Sequence, residues 1–353
     1  MRQTPSLGKA SRDFLHKVVY RRLGATRREI IIGPGFGVDN AVVKVGDRKV
    51  LVITTDPLSL IPSIGPQESA WLSVHLLASD LTTSGFPPQY GIFDFNLPPR
   101  MKDSEFADYW KAFHVECGKL GIAILGGHTG RFQGCDYTII GGGVLCTIGP
   151  EERYLTSNMA ERGDDISLTK GAAIGATAVL TRSFPRTVRK ALGPRLFSRA
   201  WSYISKMTTV KDALTAITVG VHGEGVTAMH DSTEGGVTAA ILELADASRL
   251  GVELDLGSVA ITEETREICR LFQIDPLVSL SEGSLVIASR PNQTSRILNK
   301  LSSARIEARV VGRLTSNART YFGTGPKRRV RLKYPSVDPY WRAFWKAMNK
   351  RWS

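Results

Sequence analysis

Residues 229–236 read Met-His-Asp-Ser-Thr-Glu-Gly-Gly, between a strand-like run over 225–229 and a helical one behind the two glycines. Val237, Ala240, Ile241, Leu244 and Ala245 recur at helical spacing, which predicts an amphipathic helix starting at that point. A helix start presents free backbone N–H groups, and Gly235 and Gly236 remove side chains that would keep a phosphate away. Glu234 precedes them on the same turn. Asp231, just upstream, is placed to hold a metal ion against the same phosphates. The plain alternative is a cap in which Ser232 or Thr233 satisfies the first turn of the helix.

Three more acids stand at comparable junctions. Asp39 follows a glycine-rich turn in GVDNAVV (37–43), and Asp56 closes a β-branched strand predicted over 49–55 (KVLVITT). Asp80 lies on the last turns of a helix predicted over 67–83, where the helix dipole disfavours negative charge, so it calls for a positive partner. Carboxylates at element ends beside glycine suit Mg²⁺ on a polyphosphate, since Mg²⁺ takes few carboxylates and fills its shell with phosphate oxygens and water. Taken singly, each is equally at home as a turn or cap residue. Gly126-Gly127-His128-Thr129 reads as a strand-to-turn junction that directs His128 at a ligand, where it can face substrate or shuttle a proton. Thr169-Lys170-Gly171 is a similar turn, whose lysine either pairs with phosphate or stands solvated at a strand end. The sequence lacks a Walker-A pattern, which argues against a P-loop NTPase.

The order of elements over 49–149 is β-α-β-α-β-β, an α+β unit. Its second helix carries an apolar stripe of Phe106, Trp110, Phe113 and Cys117, with Asp103 or Ser104 as cap. A second α+β unit begins near Arg162-Gly163-Asp164. The division is a basic helical lead-in over 1–30, an N-terminal domain over 31–160, a C-terminal domain over 161–325 and a tail over 326–353.

Charge is distributed unevenly. The net charge of +13 comes from 46 basic and 33 acidic residues, but 1–30 carries +6 and 326–353 carries +8. The rest holds 29 basic against 30 acidic side chains, so a neutral body has two basic ends. A neutral body argues against a nucleic-acid groove and for a small-molecule domain with appendages. The longest uncharged stretch, 137–150, has 14 residues and four glycines, short of the ~20 a membrane-spanning helix needs. Four cysteines without close pairing, and no secretory leader, point to reduced thiols and a cytoplasmic protein. In the tail, Trp341, Phe344 and Trp345 fall at i, i+3, i+4 among basic residues. That pattern suits a short helix that docks on the body, or one that binds a protein, an acidic membrane or RNA.

GVDNAVV (37–43), VITTD (52–56), SDLTTSGFPP (79–88), LGGHT (125–129), TKGAAIGATAVL (169–180), MHDSTEGG (229–236) and DPLVSLSEG (275–283) together resemble the AIR synthase (PurM-like) superfamily, on its HypE-like side. The resemblance spans about 30–315. It implies an N-terminal α/β domain that forms a β-barrel across a homodimer, followed by a C-terminal α+β domain. It also implies ATP and Mg²⁺ in a cleft involving both domains and the dimer interface. Asp39, Asp56, Asp80 and Asp231 match as metal- or phosphate-side acids. Thr169, Lys170, Glu234, Gly235 and Gly236 match as the nucleotide side, to which Thr129 is added from the junction beside His128. Asp231 is expected to act in catalysis, with His128 as a substrate- or phosphate-facing group.

The chain departs from the family pattern at Val38 and His128, where carboxylates are usual, and at Asn40. HypE-type proteins dehydrate a carboxamide carried on a C-terminal cysteine, whereas the last cysteine here is Cys269. The expectation is an ATP- and Mg²⁺-dependent phosphoryl-transfer enzyme that activates a small amide, carboxylate or related substrate. The alternative is a catalytically reduced nucleotide-binding scaffold whose basic-aromatic ends bind RNA or a partner protein.

Overall fold

The computed structural model describes residues 8–325, 329–335 and 337–353. The basic lead-in is helical only in α1 (Arg12–Phe14) and a wider helical turn over Leu15–Val19. Its apolar side does not pack: Phe14, Val18 and Val19 are exposed.

Six strands follow: β1 (Ile30–Ile32), β2 (Ala41–Gly46), β3 (Lys49–Ser59), β4 (Tyr90–Leu97), β5 (Ala123–Arg131) and β6 (Ile139–Pro150). They form one open sheet in the order β1-β2-β3-β6-β4-β5. Only β4 and β5 pair in parallel, which requires a crossover, and α3 (Asp103–Lys119) supplies it. With α2 (Pro66–Thr82), which links β3 to β4, it covers one face of the sheet. Alternation on β4 sends Phe93, Phe95 and Leu97 into that core, against Leu77, Leu81, Tyr109 and Phe113. The opposite face is apolar and uncovered, with Ile92 50% and Leu125 60% exposed.

Three local expectations need correction. First, β3 runs past Asp56 to Ser59 because its ladder with β6 continues that far, so Asp56 lies within the strand. Second, Gly126–Thr129 is no turn but the middle of β5, paired residue by residue with β4. Gly127 (φ +152°) permits this approach, since a Cβ there would sit 1.8 Å from the Phe93 carbonyl oxygen. Third, Tyr109 replaces Trp110 in the buried stripe of α3, and Asp103 is its first helical residue rather than its cap.

The second sheet comprises β7 (Asp165–Thr169), β8 (Val226–Asp231), β9 (Gly251–Asp255), β10 (Leu285–Ser289), β11 (Ala308–Thr315), β12 (Tyr321–Thr324) and β13 (Arg329–Arg331), ordered β13-β12-β9-β11-β7-β10-β8. Its helices are α4 (Ile174–Ser183), α5 (Pro185–Trp201, kinked at Gly193), α6 (Val210–Ala216), α7 (Gly236–Ala247), α8 (Glu263–Phe272) and α9 (Pro291–Ser303). Helix α7 is not amphipathic. Every residue from Gly236 to Ala245 is buried, because the first domain closes over the side away from the sheet. At that contact a Cβ on Gly37 would lie 2.7 Å from the Glu243 carbonyl oxygen.

The tail forms α10 (Pro339–Asn349), capped by Asp338 and docked on the body through Tyr340, Ala343 and Ala347. Phe344 packs on Phe184, Trp352 packs on Phe272, and Thr187 N–H donates to the Ser353 carbonyl at 2.6 Å. Expectations for 1–7, 326–328 and 336 lie outside the described residues. Among the described residues no helix is long and apolar enough to cross a membrane.

Candidate active site at the domain seam

The first domain brings three acids to the seam: Asp39 from the segment before β2, Asp56 from β3 and Asp80 from the last turn of α2. The second domain brings Asp231 at the end of β8. Asn40 holds the first group together, since its buried amide donates to the Asp80 carbonyl (2.9 Å) and to Thr83 Oγ1 (2.8 Å). The Asp80 and Asp231 carboxyls stand close enough to repel each other. Burial and mutual repulsion raise the affinity of Asp56, Asp80 and Asp231 for protons. Asp56 is pushed up to about 7 and Asp231 to about 6, and Asp80 lies well above the usual carboxylate range. Asp39 Oδ2 is buried without a hydrogen-bond partner among the described residues.

Behind these acids stands a polar core that the sequence did not single out. His230, in the middle of the quoted motif, is buried between Asp39 Oδ1 (2.6 Å from Nδ1) and Glu243 Oε2 (2.7 Å from Nε2). Burial alone would favour the neutral ring, but the two carboxylates win and hold the imidazolium to about 10. Burial also works against ionised Glu243, yet Lys9, His230 and the Tyr334 hydroxyl, which donates to Oε1 at 2.7 Å, bring its pKa down to about 2. Lys9 Nζ lies 3.7 Å from Glu243, and its proton is held more firmly than an ordinary lysine's. Arg12 pairs with Asp246 at 2.6 Å.

This donor set fits a hard divalent cation. Ligand atoms of Asp39, His230 and Asp231 lie within 4.8 Å of one another. Both nitrogens of His230 are engaged by carboxylates, which leaves oxygens from Asp39, Asp56, Asp80 and Asp231, the chemistry Mg²⁺ prefers. The orphaned Asp39 oxygen, and the raised proton affinities of Asp56, Asp80 and Asp231, mark a site short of positive charge.

The other expected residues are placed differently. Thr169 and Lys170 end β7, two strands from Asp231, but both bind Asp212: Thr169 Oγ1 at 2.7 Å and Lys170 Nζ at 2.7 Å. Lys170 therefore holds α6 to the sheet instead of standing free. Gly235 and Gly236 adopt φ of +80° and +68°, a turn open to glycine at little cost. Their N–H groups are already occupied, by Asp338 Oδ2 (2.8 Å) and by the Thr233 carbonyl (3.2 Å). The expected open helix terminus is thus filled from the tail. Glu234 accepts from Lys9 N–H (2.6 Å) and from Trp341 Nε1 (3.2 Å). His128 and Thr129 are exposed on edge strand β5. Asp56, Gly143, Phe93 and Gly127 share one row of the sheet, which puts His128 about 14 Å from Asp56 within the chain.

The family models for AIR synthase related proteins match in both halves: the N-terminal domain model over residues 37–148 and the C-terminal domain model over 161–323. A putative hydrogenase expression/formation protein of Methanocaldococcus jannaschii is 23% identical over 299 residues, covering 83% of this chain and 84% of its own. Carbamoyl dehydratase HypE of Rhizobium leguminosarum is 24% identical over 278 residues, covering 76% of this chain and 74% of its own. Similar solved structures include AaThiL complexed with AMPPCP and TMP (TM-score 0.70, 16% identity, 93% of this chain and 98% of that one). They also include HypE in complex with ATP (0.66, 17%, 95% and 97%) and the HypE–HypF complex (0.68, 17%, 84% and 93%). With both domain models matched in order on a two-sheet α+β frame, the chain belongs to the AIR synthase related, PurM-like superfamily, in its HypE-like branch.

Proposed function

We propose that this chain is an ATP- and Mg²⁺-dependent phosphoryl-transfer enzyme that activates a small amide, carboxylate or related substrate. The observation that carries the reading is the convergence of Asp39, Asp56, Asp80 and Asp231 from both domains into one under-neutralised cluster. Nucleotide in the solved neighbours, ATP in one HypE and AMPPCP in AaThiL, supports it. Bound Mg²⁺ would neutralise phosphate charge between these four carboxylates. The protein's own part is positioning. His230 fixes Asp39 through Nδ1 while Glu243, Tyr334 and Lys9 fix His230 from behind, so the carboxylate oxygens are aimed before ligand arrives. Glu234 stands at the mouth of the site.

We further propose a homodimer, with the uncovered apolar face of the first sheet closing against a second copy in barrel fashion. Leu125, Ile92 and Ile148 on that face support the proposal. His128, level with exposed Asp94 on edge strand β5, lies on the same face, so in this arrangement it serves a site only together with the other copy; Thr129, level with Phe95, points to the opposite face. A partner-binding role is favoured by a second observation: the exposed Arg186, Arg189 and Lys190 of α5 flank Thr187, whose N–H meets the Ser353 carbonyl at the end of the basic tail. The HypE–HypF neighbour supports a protein as that partner.

The test is ADP release by purified protein with Mg²⁺ and candidate acceptors, alongside thermal stabilisation by ATP. Asp231→Asn is expected to abolish Mg²⁺-dependent turnover while keeping the fold. Undiminished turnover in that variant refutes the assignment.

A further inference from the structure

A cavity of about 320 Å³ runs from the acid cluster into the seam between the domains. Asp56 and Glu234 stand where it meets the cluster. Its wall includes four aromatic residues of the tail helix, Tyr340, Trp341, Phe344 and Trp345, and Glu282 also lines it. Among the described residues lining it there is no lysine, arginine or histidine.

Glu282 is the residue that needs explaining. The residue is part-buried, and its Oε2, itself shut off from solvent, has no hydrogen-bond partner among the described residues. The oxygen lies against the first turn of α4, where Gly175 leaves it room: a Cβ there would be 2.3 Å away. A carboxylate left unpaired in an apolar enclosure costs several kcal/mol unless a partner is supplied. The rest of the lining supplies acids, hydroxyls and apolar or aromatic faces, and no basic side chain among the described residues. Aromatic faces attract cations, and three carboxylates without a counter-charge repel anions.

We infer that this cavity binds the cationic head of a small organic molecule, an ammonium, amidinium or guanidinium group, with Glu282 as its hydrogen-bonding counter-charge and the α10 aromatics as its walls. That this molecule is the phosphoryl acceptor rests on the function proposed above, since the cavity opens on the acid cluster at Asp56. Cation binding itself does not rest on it.

The experiment uses the full chain without nucleotide and measures calorimetric titration with benzamidinium and with its neutral near-isostere benzamide. Benzamidinium is expected to bind at least about tenfold more tightly than benzamide, as one charge-assisted hydrogen bond and cation–π contact require. Glu282→Gln is expected to erase that preference and leave benzamide binding unchanged. Trp345→Ala, at a half-exposed position where the fold does not depend on it, is expected to weaken benzamidinium several-fold and keeps the test alive if the Glu282 variant does not fold. Equal binding of the two probes, no benzamidinium binding, or displacement of benzamidinium by Mg²⁺ overturns the inference. Cation binding without ATP turnover refutes only the phosphoryl-transfer reading, and turnover without cation binding refutes only the pocket.

Discussion

Replacing Asp56 by asparagine separates a site built for a cation from an ordinary buried polar cluster. Asp56 is pushed from 3.8 up to about 7, first by burial and then by Asp231. At 1.36 kcal/mol per pH unit, ionising it at neutral pH costs the folded chain ~4 kcal/mol relative to an exposed carboxylate. That figure is a ceiling, because the repulsion is shared with Asp231, and a buried amide without partners costs ~1–3 kcal/mol of its own. The net expectation is a variant about 1–2 kcal/mol more stable than the parent in EDTA, a rise in Tm of about 1–3 °C for a chain of this length. Mg²⁺ reverses the order. A cation at a hundredfold excess over its Kd stabilises the parent by about 2.7 kcal/mol, whereas the variant, with one charged ligand fewer, gains much less. Paired calorimetric or fluorescence melts, with EDTA and with Mg²⁺, read both quantities. A variant that is less stable in EDTA yet keeps the full Mg²⁺ increment would refute the reasoning, because Asp56 would then be a structural acid.

Two further outcomes follow from the same geometry. In EDTA, stability is expected to rise as pH falls from about 7 towards 5, because Asp56 and Asp231, with raised folded-state pKa values, take up protons there before the unfolded chain does. The His230–Glu243 pair does not mask this trend: the imidazolium contribution persists until pH climbs through about 10, and the Glu243 contribution until pH drops through about 2, so a flat or falling melt profile between 7 and 5 contradicts the cluster. Gly236→Ala is expected to cost more than ~2 kcal/mol and depress soluble yield, since φ is +68° and the new Cβ would lie 2.8 Å from the Leu277 and Ser279 carbonyl oxygens; a melt within ~1 °C of the parent would mean that the turn is not built this way.

Much of this architecture is legible in the sequence, and the lapses have physical causes. The helices of the first domain announce themselves by period, and Asp39, Asp56, Asp80 and Asp231 by standing at or near element ends beside glycine. All four do meet at the seam. His128 misled because paired glycines usually punctuate a turn. Here Gly127 instead lets two parallel strands approach, and the histidine is carried to an exposed edge. Lys170 misled because nothing local to it reveals Asp212, which arrives from α6, 42 residues on. Glu243 did leave a trace, since an acid inside Ile-Leu-Glu-Leu-Ala is out of place on a helix buried all round. Its partners, Lys9 and Tyr334, come from the two ends of the chain and leave none.

Those two ends also change what the uneven charge means. On sequence, a neutral body with basic termini reads as a domain with appendages. In the fold, each terminus supplies what the seam lacks. Lys9 brings a cation to Glu243 and Arg12 brings one to Asp246. From the other end come a hydroxyl for Glu243 from Tyr334, a carboxylate for the Gly235 N–H from Asp338, and an indole N–H for Glu234 from Trp341. Removing 326–353 therefore does more than delete a binding tail. It uncovers Phe184 and Phe272, orphans the Gly235 N–H and takes away an aromatic wall of the cavity. A truncated protein that loses partner binding and turnover together says nothing about which the tail serves. Arg342 and Lys346, by contrast, are exposed on α10 and carry charge without touching the seam. Reversing those charges removes the attraction for an acidic partner and leaves the docked face of the helix, and the site beneath it, as they were.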